Sequence, residues 1–356
     1  MSVQLSLFMD SISTETKFPS TRYQGSKQKF VDWIWNCIKD IPFQTALDAF
    51  GGTGCVAFRL KQAGKSVIYN DILPFNQIIG KALIENNDTI LAEHEVECLL
   101  KEQKDVVYPS FIANTFKDVY YTDAENRWLD VVSTNIRQMS DTKKQAMAYF
   151  ALFQACIIKR PYNLFHRKNL YVRLQDVKRS FGNKKTWDTS FATHFRKFVN
   201  EANMAVFDNG EICHSMNKDA FEIDADYDFV YIDTPYLSKK SIGVDYADFY
   251  HFLDGLMDYE NWKDNIDYGS KHLRLKRQHK DVWSNAATIY AAFERLFTHF
   301  RKSKMAISYR SDGIPSIEEL VQMLKKMNKD VHVYQSMEIK YALSKQQSYE
   351  VLIVAL

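Results

Sequence analysis

The tetrapeptide Asp233–Tyr236 (Asp-Thr-Pro-Tyr) places a carboxylate, a rigid proline and an aromatic ring directly after the apolar run 229–232. That run has the composition of a buried strand. The Asp233 carboxylate and the Thr234 carbonyl can together accept hydrogen bonds from the two N–H groups of an exocyclic amine, which localises the lone pair on its nitrogen. Pro235 would fix the direction of the carbonyl, and Tyr236 can stack on a base that has left its duplex. The set suits group transfer to the amine of a nucleobase.

A glycine-rich turn forms a second candidate site within "DAFGGTGCVA", residues 48–57, at the point where a predicted strand passes into a predicted helix. Gly52, Gly54 and Ala57 match the GxGxxA spacing of dinucleotide-binding turns, in which glycine lets the backbone approach a ligand closely. Asp71 ends the next predicted strand, where an acidic residue commonly holds ribose hydroxyls. A tight turn without a ligand, and a helix cap at Asp71, are the alternatives. These features permit NAD or S-adenosylmethionine alike.

The elements that must position these residues have the pattern of an α/β fold. A β-turn-α-β unit at 45–71 starts the sheet, and the later strands predict an open, mostly parallel, Rossmann-like sheet. The last two predicted strands follow each other closely, which predicts an antiparallel hairpin. Strands are predicted at 45–50, 66–71, 211–215, 228–233, 304–310, 330–336 and 348–356, and helices at 89–102, 123–139, 142–158 and 189–204.

The domain organisation follows from the change to helical patterns in the middle of the chain. Residues 1–20 are polar and predict a flexible tail. Residues 21–87 and 206–356 predict one sheet-containing domain, interrupted by a mainly helical and basic insertion at 88–205.

The composition limits the classes of function. The chain has 356 residues, of which 46 are Lys or Arg and 44 are Asp or Glu, so that any nucleic-acid-binding surface must be local. Its five cysteines are scattered without a CxxC pair, which argues against a zinc site or a disulfide framework and favours the cytoplasm. The sequence has neither the build of a signal peptide nor an apolar run long enough to span a membrane.

Five motifs in one order resemble the Dam-like DNA adenine-N6 methyltransferases, the alpha group of the D12 class, over most of the chain. They are "TRYQGSK" (21–27), "DAFGGTG" (48–54), "YND" (69–71), "NKDAFE" (217–222) and "DTPY" (233–236). The resemblance implies a class I methyltransferase fold, S-adenosyl-L-methionine as the methyl donor, S-adenosyl-L-homocysteine as the product and no metal. The substrate would be an adenine flipped out of double-stranded DNA, and the insertion would recognise the target sequence.

The resemblance also assigns residues. Tyr23 and Lys27 would meet the methionine end of the cofactor, Asp71 its ribose, and Asp219 its adenine amine. The remaining cofactor contacts would be Asp48, Phe50, Gly51, Gly52, Gly54, Ala220 and Phe221, and the catalytic residues Asp233, Thr234, Pro235 and Tyr236. Thr234 departs from the family motif, which has proline there. Because the carbonyl rather than the side chain is the acceptor, we expect activity to survive this change.

The segment 159–185 contains nine Lys or Arg and one acid, Asp176, with aromatic residues between them. This composition is typical of phosphate binding with reading of base edges, although a solvated charged face is the alternative. A second basic cluster, 271–280, would form the opposite jaw of a cleft. The predicted DNA contacts are Arg160, Arg167, Lys168, Arg173, Lys178 and Arg179.

The N-terminal "QLSLF" resembles the bacterial sliding-clamp-binding pentapeptide. Leu5, Leu7 and Phe8 would be the anchors in a groove of the clamp, and Gln4 would make a directional polar contact. Alternatively, the three apolar residues pack on the body of the chain.

The favoured hypothesis is a site-specific DNA adenine-N6 methyltransferase of the bacterial or phage cytoplasm, acting at the nucleoid, alone or with a companion restriction endonuclease. Methyl transfer to cytosine N4 or to RNA is the first rival. A catalytically silent DNA- or clamp-binding homologue is the second. An NAD-dependent oxidoreductase is disfavoured, because the motifs at 21–27, 217–222 and 233–236 would then have no role.

Overall fold

A computed structural model describes residues 16–175, 177, 184–238, 243–277, 281–336 and 349–356. The chain divides into two compact units. The sheet unit comprises Ser26–Gly80, Asn209–Tyr246 and Arg277–Leu356. The helical unit comprises the residues up to Gly25, Lys81–Asp208 and Ala247–Lys276.

The sheet unit contains a seven-stranded sheet in the order β3-β2-β1-β4-β6-β9-β8, together with a two-stranded antiparallel pair of β5 and β7. The neighbours from β3 to β6 are parallel, whereas β9 runs antiparallel to both β6 and β8. The mostly parallel α/β sheet and the antiparallel terminal pair are confirmed. The strands are β1 (Thr45–Asp48), β2 (Ser66–Asn70), β3 (His214–Met216), β4 (Phe229–Ile232), β5 (Leu237–Ser238), β6 (Lys304–Arg310), β7 (Gly313–Ile314), β8 (Val331–Gln335) and β9 (Glu350–Ala355).

Helices occur in both units. In chain order they are α1 (Val31–Ile38), α2 (Cys55–Gln62), α3 (Pro74–Gly80), α4 (Glu93–Leu99), α5 (Phe111–Thr115), α6 (Asp123–Arg137), α7 (Thr142–Ile158), α8 (Leu170–Leu174), α9 (Lys184–Asp188), α10 (Phe191–Met204), α11 (Tyr246–Met257), α12 (Trp262–Asn265), α13 (Ile289–His299) and α14 (Ile317–Lys326). The 3₁₀ turns Lys27–Lys29 and Pro161–Asn163 and the π-helix Lys81–Glu85 complete the helical segments of the described residues. None of the helices in the described residues is long and apolar enough to cross a membrane.

The core of the sheet unit explains the continuous apolar strands. Every residue of β4 and of β9 is buried, as expected for central strands that are covered on both faces. Phe293, Leu296 and Phe297 of α13 belong to the same buried cluster as Val230 and Ile307 of the sheet. The apolar face of a helix thus covers the strand that leads to the candidate tetrapeptide.

The helical unit is built around α7. Its residues are buried from Ala146 to Ile158 on every side, which fits its all-round apolar sequence. The Asp141 side chain caps the helix by accepting from the N–H groups of Lys143 and Lys144.

Several boundaries differ from the prediction. The proposed insertion at 88–205 falls inside Lys81–Asp208, but residues 247–276, assigned to the catalytic domain from sequence, belong to the helical unit. The strand predicted at 211–215 lies at His214–Met216. Helix α14 was not predicted, although a capping box of Ser316 and Glu319 marks its start.

Candidate active site

Two loops of the sheet unit leave one edge of the sheet side by side. β1 and β4 are adjacent parallel strands in which Asp48 lies opposite Tyr231. The Ala49 N–H donates to the Tyr231 carbonyl at 3.0 Å. The glycine turn (residues 51–54), which follows β1, and Asp233–Tyr236, which follows β4, therefore start next to each other. The carboxyl edge of a parallel sheet is where ligands of open α/β folds bind.

The glycine turn requires its glycines for different reasons. Gly52 and Gly54 have φ of 51° and 78°, in the left-handed region that favours glycine. Gly54 is also the N-cap of α2. A Cβ at Gly51 would lie 2.1 Å from Cε2 of Tyr69. The Tyr69 hydroxyl donates to the Gly52 carbonyl at 2.6 Å, so this ring both fills the space beside the turn and fixes it.

Asp71 contacts the same turn. Its Oδ2 accepts from the Gly52 N–H at 2.9 Å, and its Oδ1 accepts from the Leu73 N–H at 2.8 Å. The side chain is buried, which raises its pKa. These are the contacts of a turn and capping residue, the alternative that the sequence left open. Contact with a ribose stays a prediction.

The Asp48 carboxylate has one buried oxygen without a hydrogen bond from the described residues. Asp48 ends β1 and is 1% exposed, and this oxygen is its Oδ1. Burial raises its pKa well above the ordinary range, and the negative charges of Asp233 and Asp71 add to this effect. A cationic group bound beside Asp48 would relieve this unfavourable charge. The sulfonium and ammonium groups of S-adenosylmethionine fit that requirement.

Phe50, next to the glycine turn in sequence, belongs to an aromatic cluster with Phe221 and Trp283. The Phe221 ring stacks on Trp283 at a centroid distance of 5.8 Å, and Cζ of Arg295 lies 4.2 Å from the Phe221 ring centroid. Phe50 meets Trp283 edge to face at 5.5 Å. Trp283 was not predicted as a site residue, and a ligand ring stacked on Phe221 would have to share it with Trp283 or displace Arg295.

The neighbours of Phe221 complete this region. Asp219 accepts from the Phe221 N–H through Oδ1 at 3.0 Å, which fixes the local turn. Ala220 is buried in the core of the sheet unit. Phe221 also lines an open groove of about 480 Å³ along α13, whose other lining residues are Ala291, Glu294, Arg295, Thr298 and His299.

A buried ammonium holds the first residue of the tetrapeptide. Lys27 Nζ lies 2.9 Å from Oδ1 of Asp233 and 3.0 Å from Oε1 of Glu350. The side chains of Lys27 and Glu350 are 7% and 1% exposed, and that of Asp233 is 18% exposed. Lys27 was predicted to meet the cofactor, and that contact stays a prediction beside its observed partners, these two carboxylates. Glu350 was missed, although an acid at the start of the apolar run 350–356 is an unusual feature.

The electrostatics of this cluster keep Asp233 titratable near neutrality. Burial raises the pKa of Asp233 and Glu350 raises it further, whereas Lys27 lowers it, and the result is a pKa of about 6. Burial lowers the pKa of Lys27, but the charges of Asp233 and Glu350 outweigh this and hold it well above the ordinary value. Asp233 is therefore mainly ionised above neutral pH and faces a permanent cation.

Arg310 of β6 contacts the last residue of the tetrapeptide, Tyr236. Cζ of Arg310 lies 4.9 Å from the Tyr236 ring centroid, and its guanidinium donates twice to Asp312, at 2.8 and 2.7 Å. Thr234 is 2% exposed, and its hydroxyl makes no hydrogen bond with the described residues. The polar side chain at this position is thus not used structurally. Pro235 and Tyr236 are half-buried.

Tyr23 lies in the helical unit. Its ring stacks on Tyr250 at 4.5 Å with an interplanar angle of 7°, and the Tyr250 hydroxyl accepts from the Gln24 N–H at 2.8 Å. Tyr23 is therefore not among the side chains that the sheet unit brings together.

Arg160 requires a correction as a predicted DNA contact, because it is 1% exposed. Its guanidinium donates to the carbonyls of Leu164, Tyr120 and Arg167 at 3.1 to 3.2 Å and to the Asn169 side chain. It also lies over the Tyr120 ring at 4.3 Å, and burial lowers its pKa to about 10. Arg160 organises the loop that follows α7 and does not face solvent.

Arg173 is likewise buried, at 5% exposure. Its Nη2 lies 2.6 Å from Oε1 of Glu125, and Lys159 binds the same carboxylate oxygen at 2.9 Å. The predicted phosphate contact of Arg173 is corrected to an internal ion pair.

Arg167 and Lys168 are exposed, as phosphate contacts require. Lys178 and Arg179 lie outside the described residues, as do the clamp-motif residues Gln4, Leu5, Leu7 and Phe8. Within the described ranges, His, Cys, Asp and Glu side chains do not form a group of three that could hold a metal ion.

The chain is similar to known DNA methyltransferases over most of its length. The sequence profile of the D12 class N6 adenine-specific DNA methyltransferases matches residues 23–346. The chain is 31% identical over 328 residues to the type II methyltransferase M2.HphI of Haemophilus parahaemolyticus, covering 90% of this chain and 91% of that protein. It is 20% identical over 326 residues to the type II methyltransferase M.NlaIII of Neisseria lactamica, covering 86% and 88%. It is 24% identical over 324 residues to the modification methylase LlaI of Lactococcus lactis subsp. lactis, covering 87% of this chain but only 49% of that protein.

Proposed function

The chain belongs to the D12 class N6 adenine-specific DNA methyltransferases, and on that premise we propose which of its residues transfer the methyl group. Asp233 is the first acceptor for the N6 amine of the target adenine, and the Thr234 carbonyl is the second. Tyr236 stacks on the base after it has left the duplex. The support for this proposal is the position of the tetrapeptide beside the glycine turn, at the carboxyl edge of the sheet.

The N6 lone pair is delocalised into the adenine ring, so the site must make it available. An ionised Asp233 and the Thr234 carbonyl that accept from the two N–H groups favour a pyramidal nitrogen. The transfer forms the N6–CH₃ bond and breaks the S–CH₃ bond, whose electron pair stays on sulfur. One proton must then leave N6, and Asp233, with a pKa of about 6, is a base that can take it.

Lys27 keeps Asp233 in the ionised form that this role needs. Its ammonium is 2.9 Å away and is itself buried, so the attraction is only weakly screened. Arg310 has a different role at Tyr236. Its guanidinium lies over the ring and limits the movement of the side chain that stacks on the base.

The cofactor site consists of residues from the sheet unit. S-adenosylmethionine supplies an electrophilic methyl group when it is bound. The unpaired Oδ1 of Asp48 would face its positive charge, and the glycine turn allows close backbone approach. Phe50, Phe221 and Trp283 would contact its adenine.

We further propose that the helical unit recognises the DNA target, with Arg167 and Lys168 on phosphates. The names of the similar proteins support a role in type II modification with a companion endonuclease. Clamp binding through residues 4–8 remains a separate proposal, which rests on the sequence motif alone.

The observation that carries the proposal is the position of Asp233–Tyr236 beside the glycine turn, at the end of β4. The test is mass spectrometry of nucleosides from DNA of varied sequence incubated with the protein and S-adenosylmethionine. Wild type should yield N6-methyladenine, and Asp233→Asn should lower the rate by about 10²- to 10³-fold or more. Asp226→Asn removes an exposed carboxylate before β4 and should be neutral.

The possible outcomes separate the claims. Wild-type activity in Asp233→Asn would refute the catalytic assignment while leaving the reaction intact. Methylcytosine as the product would refute the choice of base. An absence of any modified base with wild type would refute the activity itself.

A further inference from the structure

Glu350 is a buried carboxylate at the first residue of β9 and has no part in the reaction described above. Its backbone is fixed on one side by Ser336, the residue after β8, since its N–H donates to the Ser336 hydroxyl at 3.1 Å and its carbonyl accepts from the Ser336 N–H at 2.9 Å. On the other side it pairs with Arg310 of β6. The side chain is 1% exposed and reaches the Lys27 ammonium.

We propose that Glu350 is a positioning residue for methyl transfer, which holds the Lys27 ammonium so that Lys27 can orient Asp233. This inference rests on the proposed role of Asp233. Lys27 lies between two carboxylates at nearly equal distances, 2.9 and 3.0 Å. Two carboxylates therefore share one ammonium.

This sharing has a chemical consequence for an incoming amine. An ammonium bound to a single carboxylate would satisfy that carboxylate and compete with the N6 donor. Because the Glu350 carboxylate also attracts the ammonium, from 3.0 Å, Asp233 shares this cation and keeps acceptor capacity for the substrate. Glu350 itself does not need to touch the adenine or the cofactor.

Other charged and titratable groups also face the cluster. Three groups interact electrostatically with Asp233: Asp48 of β1, Tyr231 of β4 and the Cys55 thiol of α2. Tyr236 interacts electrostatically with Lys27. Their contributions are common to wild type and to a Glu350 variant. A change in pH dependence on substitution of Glu350 therefore reports the Glu350 charge.

The experiment is the pH dependence of kcat and of kcat/KM for DNA in Glu350→Gln, which keeps the shape and removes the charge. Since Glu350 raises the pKa of Asp233, its neutralisation should move the acidic limb of kcat/KM to lower pH by about one pH unit. The plateau of kcat should fall about tenfold, because Lys27 then binds Asp233 alone. Glu318→Gln, an exposed site on α14, is the matched control.

A buried salt bridge with only a structural role would lower the amount of folded protein but leave kcat of the folded Glu350→Gln protein at the wild-type plateau, and that result would overturn the proposal. If Glu350→Gln does not fold, Glu350→Asp decides the question. It keeps the charge but withdraws the carboxylate by one methylene, so the limb should stay and the plateau should fall. A wild-type plateau in Glu350→Asp would overturn the proposal. Failure of the proposed function is a separate result, since wild type would then make no N6-methyladenine or Asp233→Asn would remain active.

Discussion

Replacing Lys27 with methionine should turn the methyltransferase into an enzyme that needs alkaline pH. The ammonium is the cation that the structure places against Asp233, and its removal leaves the partly buried Asp233 and the buried Glu350 without the cation that they share. An opposite charge at such a distance typically lowers a carboxyl pKa by about 1 to 3. Without it, the pKa of Asp233 should rise from about 6 to about 7 to 9. At pH 7 the ionised fraction should fall about tenfold if the new pKa is about 8.

The assay is the initial rate of N6-methyladenine formation at limiting DNA across neutral and alkaline pH, which reports the free enzyme. Lys27→Met should lose about tenfold in kcat/KM at pH 7 and regain much of it at alkaline pH. Lys29→Met, two residues away on the same 3₁₀ turn and exposed, should match wild type.

Breaking a buried ion pair also destabilises the fold, by about 3 to 5 kcal/mol. Urea unfolding must therefore accompany the kinetics. Lys27→Arg keeps a cation and should keep the acidic limb close to that of wild type. A loss of equal size at every pH in a folded Lys27→Met protein would refute the argument, because ionisation of Asp233 would then not be what Lys27 controls.

Three further predictions concern the glycine turn, the aromatic cluster and the loop after α7. Arg160→Gln should lower the free energy of unfolding by about 2 to 4 kcal/mol, since a buried guanidinium with four acceptors is lost. Arg167→Gln should leave the free energy of unfolding within about 0.5 kcal/mol of wild type. It should also reduce the slope of log K against log salt for DNA binding by about 0.9. Equal changes in unfolding free energy and in salt slope for the two variants would contradict the conclusion that Arg160 is internal. Gly51→Ala should destabilise by about 1 to 3 kcal/mol in urea unfolding, because its Cβ would meet the Tyr69 ring at 2.1 Å, and a neutral result would count against that packing. Trp283→Leu should weaken S-adenosylmethionine binding about 2- to 12-fold by calorimetry, the equivalent of one aromatic contact, and an unchanged Kd would remove Trp283 from the site.

The sheet and its glycine turn could be predicted from sequence because local rules decide them. The four apolar residues before Asp233 predict a buried strand, whichever strands pair with it. The left-handed φ of Gly52 and Gly54 is likewise a local demand that few other residues meet. The antiparallel pairing of β8 with β9 followed from the short connection between them.

The partners of charged side chains could not be predicted, because they depend on which distant groups the fold brings together. Arg160 and Arg167 belong to one basic segment and have the same residue type, yet one is buried and the other exposed. The difference is made by carbonyl groups of the loop and by Tyr120, which can satisfy one guanidinium inside the helical unit. Basic composition therefore indicated a region of interest but not which of its cations are available to phosphate.

The direction of β9 decides which of its residues lies beside the candidate active site. A parallel strand at that place in the sheet would bring its last residue to the carboxyl edge where Asp233 lies. Because β9 is antiparallel, its first residue, Glu350, lies there instead, directly opposite Arg310 at the end of β6. Residues directly opposite each other in a sheet project from the same face. One cross-strand pair thus supplies the anion that holds Lys27 against Asp233 and the cation that lies over Tyr236. On the proposed roles of these residues, the register between β6 and β9 matters for the reaction as well as for folding.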